Sequence, residues 1–448
     1  MIDKISELKH QIFSRRPVLG EIYETQGRQI LADYIVKTWR LPQDKPDALF
    51  LAVLKKSLTA IYGHTEADSA VRQLSQKAVI STIDHHGIWN HPFFVNSSLI
   101  YSLYFSSKEC ALVLSTESVS LNNTSSWSGC LLAHDEALNL KRYSFFPDRL
   151  KNLPVFSVPA ISASNIASCK SRMPAGERFL IESLNLQDIL ELPSFSLQAC
   201  QISSRFWQTV FPTAPKLLYF PLESLVLNCL RELFEQDENN FLVKLVFSKE
   251  GQKLWQKYFG AEHTFMFWGI DEHGHRKNLS ALPAGEELLK SITSRKIYPS
   301  SPLCFAVLLT VNLACVGGFT QTTWLTNFKE KFLQLLEEME VLNVLDTVKD
   351  NPTKNFAESD LAFLIRNGKV FKPSAADLYL QKDSGLYQKY QNLAAKITLK
   401  QSIESALPEI YKVVIPQKEH KTELLNVGRQ AILGNNGLKA IIEAVLKG

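Results

Sequence analysis

The stretch AVISTIDHHGIWNHP, residues 78–92, decides the fold class of this 448-residue chain. It begins with a short run rich in apolar and β-branched residues, which is typical of a buried strand. A polar turn follows, and Pro92 is well placed in the first turn of a helix predicted over residues 93–105. A second strand-like run, ALVL, occupies residues 111–114. Strand, helix and strand in this order form a βαβ unit, so we expect the two strands to be parallel.

Further strand-like and helical patterns alternate along the middle of the chain. The strand candidates are 155–158, 217–220 and 265–270, and helical patterns lie between them at 196–211 and 222–234. This alternation predicts an α/β fold with a mostly parallel sheet and flanking helices. The last strand candidate is followed by the turn-forming residues DEHG, which is typical of a hairpin, so a mixed sheet is the alternative.

The chain divides into three regions by pattern. Residues 1–77 have helical spacing of apolar side chains, residues 78–320 carry the α/β alternation, and residues 321–448 are mainly helical. The C-terminal region begins with a long amphipathic pattern at 322–342, and the sequence NNG at 435–437 breaks its final stretch. We therefore predict an α/β core that carries the functional site between two helical regions.

Composition excludes several classes of protein. The chain is 45% hydrophobic and 21% charged, which is typical of a folded globular protein and excludes disorder, collagen and coiled coil. Its net charge is only +4, and its aromatic residues are not interleaved with Lys and Arg, so we expect no nucleic-acid partner. Composition does not name a substrate.

The sequence also predicts a location. The longest apolar run, residues 302–318, is interrupted by Thr310 and Asn312 and is too short to span a membrane. Residues 1–10 carry charges where a signal peptide needs an apolar segment. The seven cysteines form no CxxC pair and are odd in number, which favours reduced thiols. We expect a cytoplasmic protein without a membrane partner.

Three of the ten histidines lie within the turn from Asp84 to His91, directly after the first predicted strand. Ligands of open α/β sheets bind beyond the carboxyl ends of the strands, where this turn would lie. Imidazole and carboxylate groups bind zinc, manganese or iron, and histidine exchanges protons near neutral pH. We predict that Asp84, His85 and His91 hold a divalent metal ion and that His86 moves protons. Adjacent side chains on a strand point in opposite directions, so His85 and His86 are not both expected to be ligands.

A second polar loop, residues 115–126, follows the second predicted strand. Parallel strands end at the same edge of a sheet, so this loop is expected beside the histidine turn. We predict that Glu117 is a catalytic base or ligand and that Asn123 orients the substrate. Asn90 and Arg149 complete the predicted substrate-binding set. The alternative for the loop is a hydrophilic turn without a function.

Three weaker candidates lie elsewhere. The segment His134–Glu136 could complete a coordination shell, or form the acidic first turn of a helix. The segment Asp271–Arg276 has metal-ligand residue types but is typical of an exposed turn. The pair Gly317–Gly318 precedes a predicted helix, where it could let a phosphate approach the helix amides, although no phosphate-loop motif is present.

The run VISTIDHHG, residues 79–87, resembles the Asp-His-His signature of the DHH phosphoesterases. In that family a strand delivers the triplet to a pair of manganese ions, so the resemblance implies phosphoester chemistry. It covers fewer than ten residues, and the Asp-x-Asp element that the family carries upstream has no counterpart before Ala78. The resemblance is therefore local.

Together these patterns favour a cytoplasmic enzyme that hydrolyses a small molecule at a metal ion held by the histidine turn. A bound divalent ion would lower the pKa of a water molecule toward neutrality and supply hydroxide. Two alternatives remain open. One is a metal-free group transferase in which His86 or His91 is the general base, and the other is a non-catalytic binding or scaffold protein. The sequence specifies neither the substrate nor the oligomeric state.

Overall fold

The computed structural model describes residues 2–123, 126–260, 265–279, 281–381 and 385–447. The sequence-predicted loop residues Thr124 and Ser125 lie outside these ranges. The described chain forms an α/β protein with one parallel sheet and three small antiparallel sheets.

The helices are α1 (Ile2–Arg15), α2 (Pro17–Gln26), α3 (Leu31–Thr38), α4 (Ala48–Tyr62), α5 (His64–Gln76), α6 (Pro92–Ser102), α7 (Ala163–Arg172), α8 (Phe179–Ser183), α9 (Phe195–Val210), α10 (Leu222–Gln236), α11 (Phe241–Phe247), α12 (Lys249–Phe259), α13 (Gly285–Thr293), α14 (Ser301–Thr310), α15 (Phe319–Glu338), α16 (Leu342–Asp350), α17 (Ala375–Leu380), α18 (Leu386–Ala394), α19 (Leu399–Val414), α20 (Thr422–Leu425), α21 (Arg429–Asn435) and α22 (Leu438–Lys447). The strands are β1 (Val79–Ser81), β2 (Cys110–Ser115), β3 (Cys130–His134), β4 (Leu140–Ser144), β5 (Lys216–Pro221), β6 (Phe267–Ile270), β7 (Arg276–Lys277), β8 (Ile297–Pro299), β9 (Ala314–Val316), β10 (Leu364–Arg366) and β11 (Lys369–Phe371).

The central sheet has the strand order β5-β2-β1-β9, and all its pairs are parallel. The predicted βαβ unit is confirmed, because α6 connects β1 to β2 and Ser81 is paired with Val113. Helix α6 begins where proline is tolerated best, at Pro92, and the ring of His91 caps it by accepting a hydrogen bond from the amide of Phe93. The fold class predicted from the sequence is therefore correct.

The two faces of this sheet bury separate apolar cores. Val79 and Val113 pack into one core with the N- and C-terminal helices, whereas Ile80 and Leu112 pack into the other with α4, α5, α10 and α14. Alternate residues of a strand point to opposite faces, so a strand buried on both faces is apolar along its whole length. The result is a sheet covered by helices on both sides.

Several predicted elements differ from the observed ones. Residues 155–158 do not form a strand, because the amide of Ser157 bonds back to the carbonyl of Pro154 in a short 3-10 turn, Val155–Ser157. The predicted hairpin after residue 270 is present as β6 and β7, but it belongs to a separate antiparallel sheet of order β7-β6-β8. The sequence analysis missed β9 and the hairpin of β3 and β4.

The two helical regions are as predicted. Helices α1–α5 cover residues 2–76, and the C-terminal region is mainly helical apart from the hairpin of β10 and β11. The NNG sequence separates α21 from α22, and the long helix α15 begins three residues earlier than expected. All seven cysteines are buried and free of disulfide bonds. None of the helices within the described ranges is long and apolar enough to cross a membrane.

Candidate active site at the sheet edge

The loops that follow β1 and β2 meet at the carboxyl edge of the sheet. The amide of His86 donates to the carbonyl of Thr116 at 2.8 Å, and the amide of Thr116 donates to the carbonyl of Asp84 at 3.0 Å. His85 and Thr116 form an isolated parallel bridge, which extends the pairing of the two strands beyond their ends. The two polar loops therefore share one rim, as the βαβ geometry predicts.

A cleft of about 430 Å³ opens at this rim, and we call it the edge cleft. It lies beyond three parallel strands, since Thr82 follows β1, Thr116 follows β2 and Gly318 follows β9 at its wall. This volume falls in the range typical of small-molecule sites, and the carboxyl edge is where α/β proteins bind their ligands. Its polar side chains are those of Thr82, His85, Thr116, Ser118, Arg276, Ser301, Thr320, Gln321 and Glu358.

Among the site residues predicted from the sequence, His85 lines the edge cleft. Its Nδ1 atom is buried and has no hydrogen-bond partner in the described part of the chain. Its ring packs against Phe94 with 5.5 Å between the ring centroids. Burial lowers the pKa of His85 to about 4, because an imidazolium ion loses its hydration there. The ring is therefore neutral at pH 7 and has an unused nitrogen.

Glu358 is the carboxylic acid of the edge cleft. It lies at the N-terminus of α15, where its Oε2 atom accepts a hydrogen bond from the amide of Phe319 at 2.9 Å. Burial raises the pKa of Glu358 to about 7, and this effect outweighs the hydrogen bond and the nearby Lys372, which both lower it. At neutral pH this carboxyl group is therefore present in both protonation states, as a general acid or base requires.

Arg276 supplies a positive charge at the opening of the cleft. Its side chain is exposed, and its guanidinium carbon lies 5.1 Å from the ring centroid of Trp268. Within the described ranges the guanidinium makes no hydrogen bond or ion pair with the protein. Nearby, Gln321 is held in place because its Nε2 atom donates to Oγ1 of Thr82 at 2.6 Å. A guanidinium without a hydrogen bond to the protein, in the same cleft as an ordered amide, can bind a carboxylate or phosphate.

His86 points away from the edge cleft, in the opposite direction from His85, as expected for neighbours leaving a strand. Its Nε2 atom lies 2.8 Å from the carbonyl oxygen of Ser196 and must donate to it. Its Nδ1 atom, 2.6 Å from Oγ of Ser115, therefore accepts from that hydroxyl. The ring is buried and both its nitrogens are used, so the structure places His86 in a structural network and not in contact with the cleft.

Glu117 is also buried behind the cleft. It accepts hydrogen bonds from the hydroxyl of Ser196 at 2.8 Å and from the amide of Ser224 at 3.0 Å. The neighbouring carboxylate of Glu223 in turn accepts from the amide of Glu117 at 2.8 Å and from that of Ser118 at 3.1 Å. This arrangement joins the end of β2 to the start of α10. Burial and the charge of Glu117 raise the pKa of Glu223 to about 7.

The three predicted metal ligands are not brought together. Asp84 accepts hydrogen bonds from Oγ of Ser97 at 3.3 Å and of Ser98 at 3.4 Å, and burial raises its pKa to about 8. The Nδ1 atom of His91 caps α6, and burial lowers its pKa to about 3. No group of three or more His, Cys, Asp or Glu side chains that could hold a metal ion occurs within the described ranges.

The three predicted substrate-binding residues lie outside the lining of the edge cleft. Asn90 joins the histidine turn to α17, because its Oδ1 atom accepts from the amide of Ala376 at 3.2 Å. The backbone carbonyl of Asn123 accepts from the amide of Trp127 in a local turn. Arg149 is exposed on a short 3-10 turn, Asp148–Leu150.

Of the weaker candidates, two contribute to the cleft. His134 instead belongs to the β3–β4 hairpin, where its Nδ1 atom lies 2.6 Å from Oδ2 of Asp377. The segment Asp271–Arg276 is the exposed turn between β6 and β7, and only its last residue reaches the cleft. The pair Gly317–Gly318 opens α15 as expected. A Cβ atom at Gly318 would lie 2.1 Å from Oε2 of Glu358, so this glycine makes room for the carboxylate.

Sequence reasoning missed Glu358 and Gln321, which come from distant segments. The one available signal was the glycine pair before α15, because such a pair marks a close approach to a helix N-terminus. No family model matches the chain, and searches of curated proteins and of solved structures found no match either.

Proposed function

We propose that this protein is an enzyme that binds a small organic anion in the edge cleft and moves a proton on it without a metal ion. In this proposal Arg276 holds the anionic group, Glu358 exchanges the proton, and His85 hydrogen-bonds the reacting end of the substrate. The observation that carries the proposal is a carboxyl group with a pKa of about 7 in the same cleft as an imidazole with an unused nitrogen. Perturbed groups of this kind cluster at active sites.

The roles follow from the charge states. A carboxyl group with a pKa near 7 both gives and takes a proton at neutral pH with little cost. A neutral imidazole donates or accepts a hydrogen bond but is a weak base when its pKa is about 4. Proton transfer is therefore assigned to Glu358 and positioning to His85.

This proposal replaces the metal-dependent hydrolysis favoured by the sequence. Asp84 is bonded to two serines, and a ring nitrogen of His91 caps a helix, so the side-chain geometry lends that hypothesis no support. The metal-free alternative is retained, but its base is Glu358 and not His86 or His91. We also propose a cytoplasmic location, which the seven buried free thiols favour.

Anion binding tests the proposal directly. Methanesulfonate is a suitable probe because it is fully ionised throughout the neutral range. We expect it to bind wild-type protein in isothermal titration calorimetry and to bind Arg276→Ala at least about tenfold more weakly, since a charge-assisted contact is lost. Arg142→Ala is the matched control, because Arg142 also lies over a tryptophan, 3.7 Å from the ring centroid of Trp127, on the β3–β4 hairpin. Equal affinities of wild type and Arg276→Ala would refute the assignment.

A further inference from the structure

Aromatic rings from α6, α14 and α15 line the edge cleft, and we call this set of rings the aromatic wall. Its members are Phe93, Phe94, Phe305, Phe319 and Trp324. Phe93 and Trp324 are half-buried, so part of this apolar surface is open to the cleft. Val413 also lines the cleft and is 51% exposed, although large apolar side chains are otherwise almost all covered in the described chain. Uncovered apolar surface beside polar groups is typical of a binding site.

The rings of the aromatic wall are held in fixed positions. Trp324 stacks on Phe328 with 5.1 Å between centroids, and its edge meets Phe305 at 5.5 Å. Phe93 lies at the start of α6, and Nζ of Lys372 lies 4.1 Å from the centroid of its ring. Rigid rings present a ready-made surface, so a ligand that covers them does not have to order them first.

We infer that the substrate of the edge cleft is a small organic anion that carries a planar aromatic ring, with the ring against the aromatic wall and the anionic group at Arg276. The inference rests on the proposed function and specifies its substrate class. Flat rings pack against aromatic side chains in stacked or edge-to-face contacts, and one phenyl-sized group fits a cleft of about 430 Å³ with space left for the anionic end. Arg276 is the one cationic side chain among the described residues that line the cleft, which favours one anionic group over an extended polyanion.

Two anions with the same head group and different tails test this inference. We expect benzenesulfonate to bind wild-type protein at least about tenfold more tightly than methanesulfonate, because the phenyl ring removes apolar surface from water. Trp324→Leu should reduce this ratio below about threefold and leave methanesulfonate affinity unchanged, whereas Trp324→Phe should keep most of it. Trp127→Leu on the β3–β4 hairpin is the control that should keep the full ratio.

The outcomes separate the two proposals. If both sulfonates bind equally and Arg276→Ala weakens both, the proposed function stands and the aromatic inference fails. If Arg276→Ala changes neither, the proposed function fails as well. Hexanesulfonate gives a third comparison. If it binds as tightly as benzenesulfonate, the cleft accepts a flexible alkyl chain as well as a planar ring, and the inference is overturned. The wild-type ratio decides the question even if Trp324→Leu does not fold.

Discussion

The carboxylate of Glu358 accepts a hydrogen bond from the backbone amide of Phe319 at 2.9 Å. The residues are 39 positions apart, and the contact places an acid at the N-terminus of a 20-residue helix. A helix N-terminus attracts negative charge, yet burial still raises the pKa of this acid to about 7. The contact therefore holds in the edge cleft a carboxyl group that gains and loses its proton near neutral pH.

Anion affinity should depend on the protonation of Glu358. Its carboxyl group becomes negative as the pH rises through about 7, so we expect the affinity for methanesulfonate to fall by about threefold to tenfold between pH 6 and pH 8. Calorimetric titrations across this range measure the effect. Glu358→Gln should show a smaller pH dependence than wild type and bind more tightly than wild type at pH 8. The remaining dependence comes from Glu223, whose pKa is also about 7 and whose charge acts on Arg276. The exposed Glu136→Gln should behave like wild type.

The carboxyl group of Glu358 should also make the free energy of unfolding depend on pH. A carboxyl pKa that is raised from 4.5 to about 7 means that the folded protein holds a proton that the unfolded chain has released, so stability falls as the pH rises between these values. Glu358→Gln should remove up to about 3 kcal/mol of this decrease. Urea unfolding from pH 5 to pH 8 tests it, with Glu136→Gln again as the control. An identical slope in wild type and Glu358→Gln would contradict the raised pKa.

Gly318 and Glu358 should be coupled energetically. A Cβ atom at Gly318 would push the carboxylate off the amide of Phe319, so we expect Gly318→Ala to cost about 1 kcal/mol, as the loss of a helix cap does. In the background of Glu358→Ala the same change should be neutral, because no cap remains. A double-mutant cycle in urea measures this, and additive effects of the two changes would show that the contact does not stabilise the protein.

The two adjacent histidines should differ in their effect on folding. His86→Ala leaves the hydroxyl of Ser115 buried without its acceptor, removes one hydrogen bond from the carbonyl of Ser196 and leaves a cavity, so we expect it to lower the free energy of unfolding by about 3 kcal/mol. His85→Ala removes a ring whose Nδ1 atom makes no hydrogen bond and should cost no more than about 1 kcal/mol. Chemical denaturation of both variants checks the order, and a reversed order would be inconsistent with the observed network.

Chelation should leave the protein unchanged. Asp84 and His91 are already engaged by serine hydroxyls and by a helix amide, so removing divalent ions should not alter the melting temperature. Thermal unfolding before and after dialysis against EDTA, with metal analysis of both samples, tests this expectation. A stoichiometric ion whose loss lowers the melting temperature would revive the metal hypothesis drawn from the sequence.

The sequence was sufficient where local signals were strong. The β1–α6–β2 unit was predicted closely because a strand-like run, Pro92 and a second apolar run follow one another in a short space. Strand β9 was missed because its three residues follow α14 within the same apolar-rich run, residues 302–318, in which periodicity does not separate helix from strand. Residues 155–158 are of types that favour strands, but they form a short 3-10 turn that begins after Pro154 instead of a strand.

The site could be predicted only in part, for the same physical reason. That the loops after β1 and β2 share a rim follows from parallel pairing, which sequence order reveals. Arg276 and Glu358 line the same cleft as His85. Their positions depend on the long-range packing of a separate hairpin and of the C-terminal region. No pattern within a single segment carries that information, and the sequence likewise does not show that His86 and Glu117 lie outside the lining of this cleft.

The position of β9 in the sheet also constrains how the protein is made. Strand β1 pairs with β2 on one side but with β9 on the other, and the side chain of Asn96 in α6 accepts from the amides of Leu361 and Ala362, both at 2.6 Å. During synthesis the first strand and helix therefore leave the ribosome long before their last partners exist. The nascent chain has to keep an unfinished sheet edge from pairing elsewhere until most of the polypeptide has been translated.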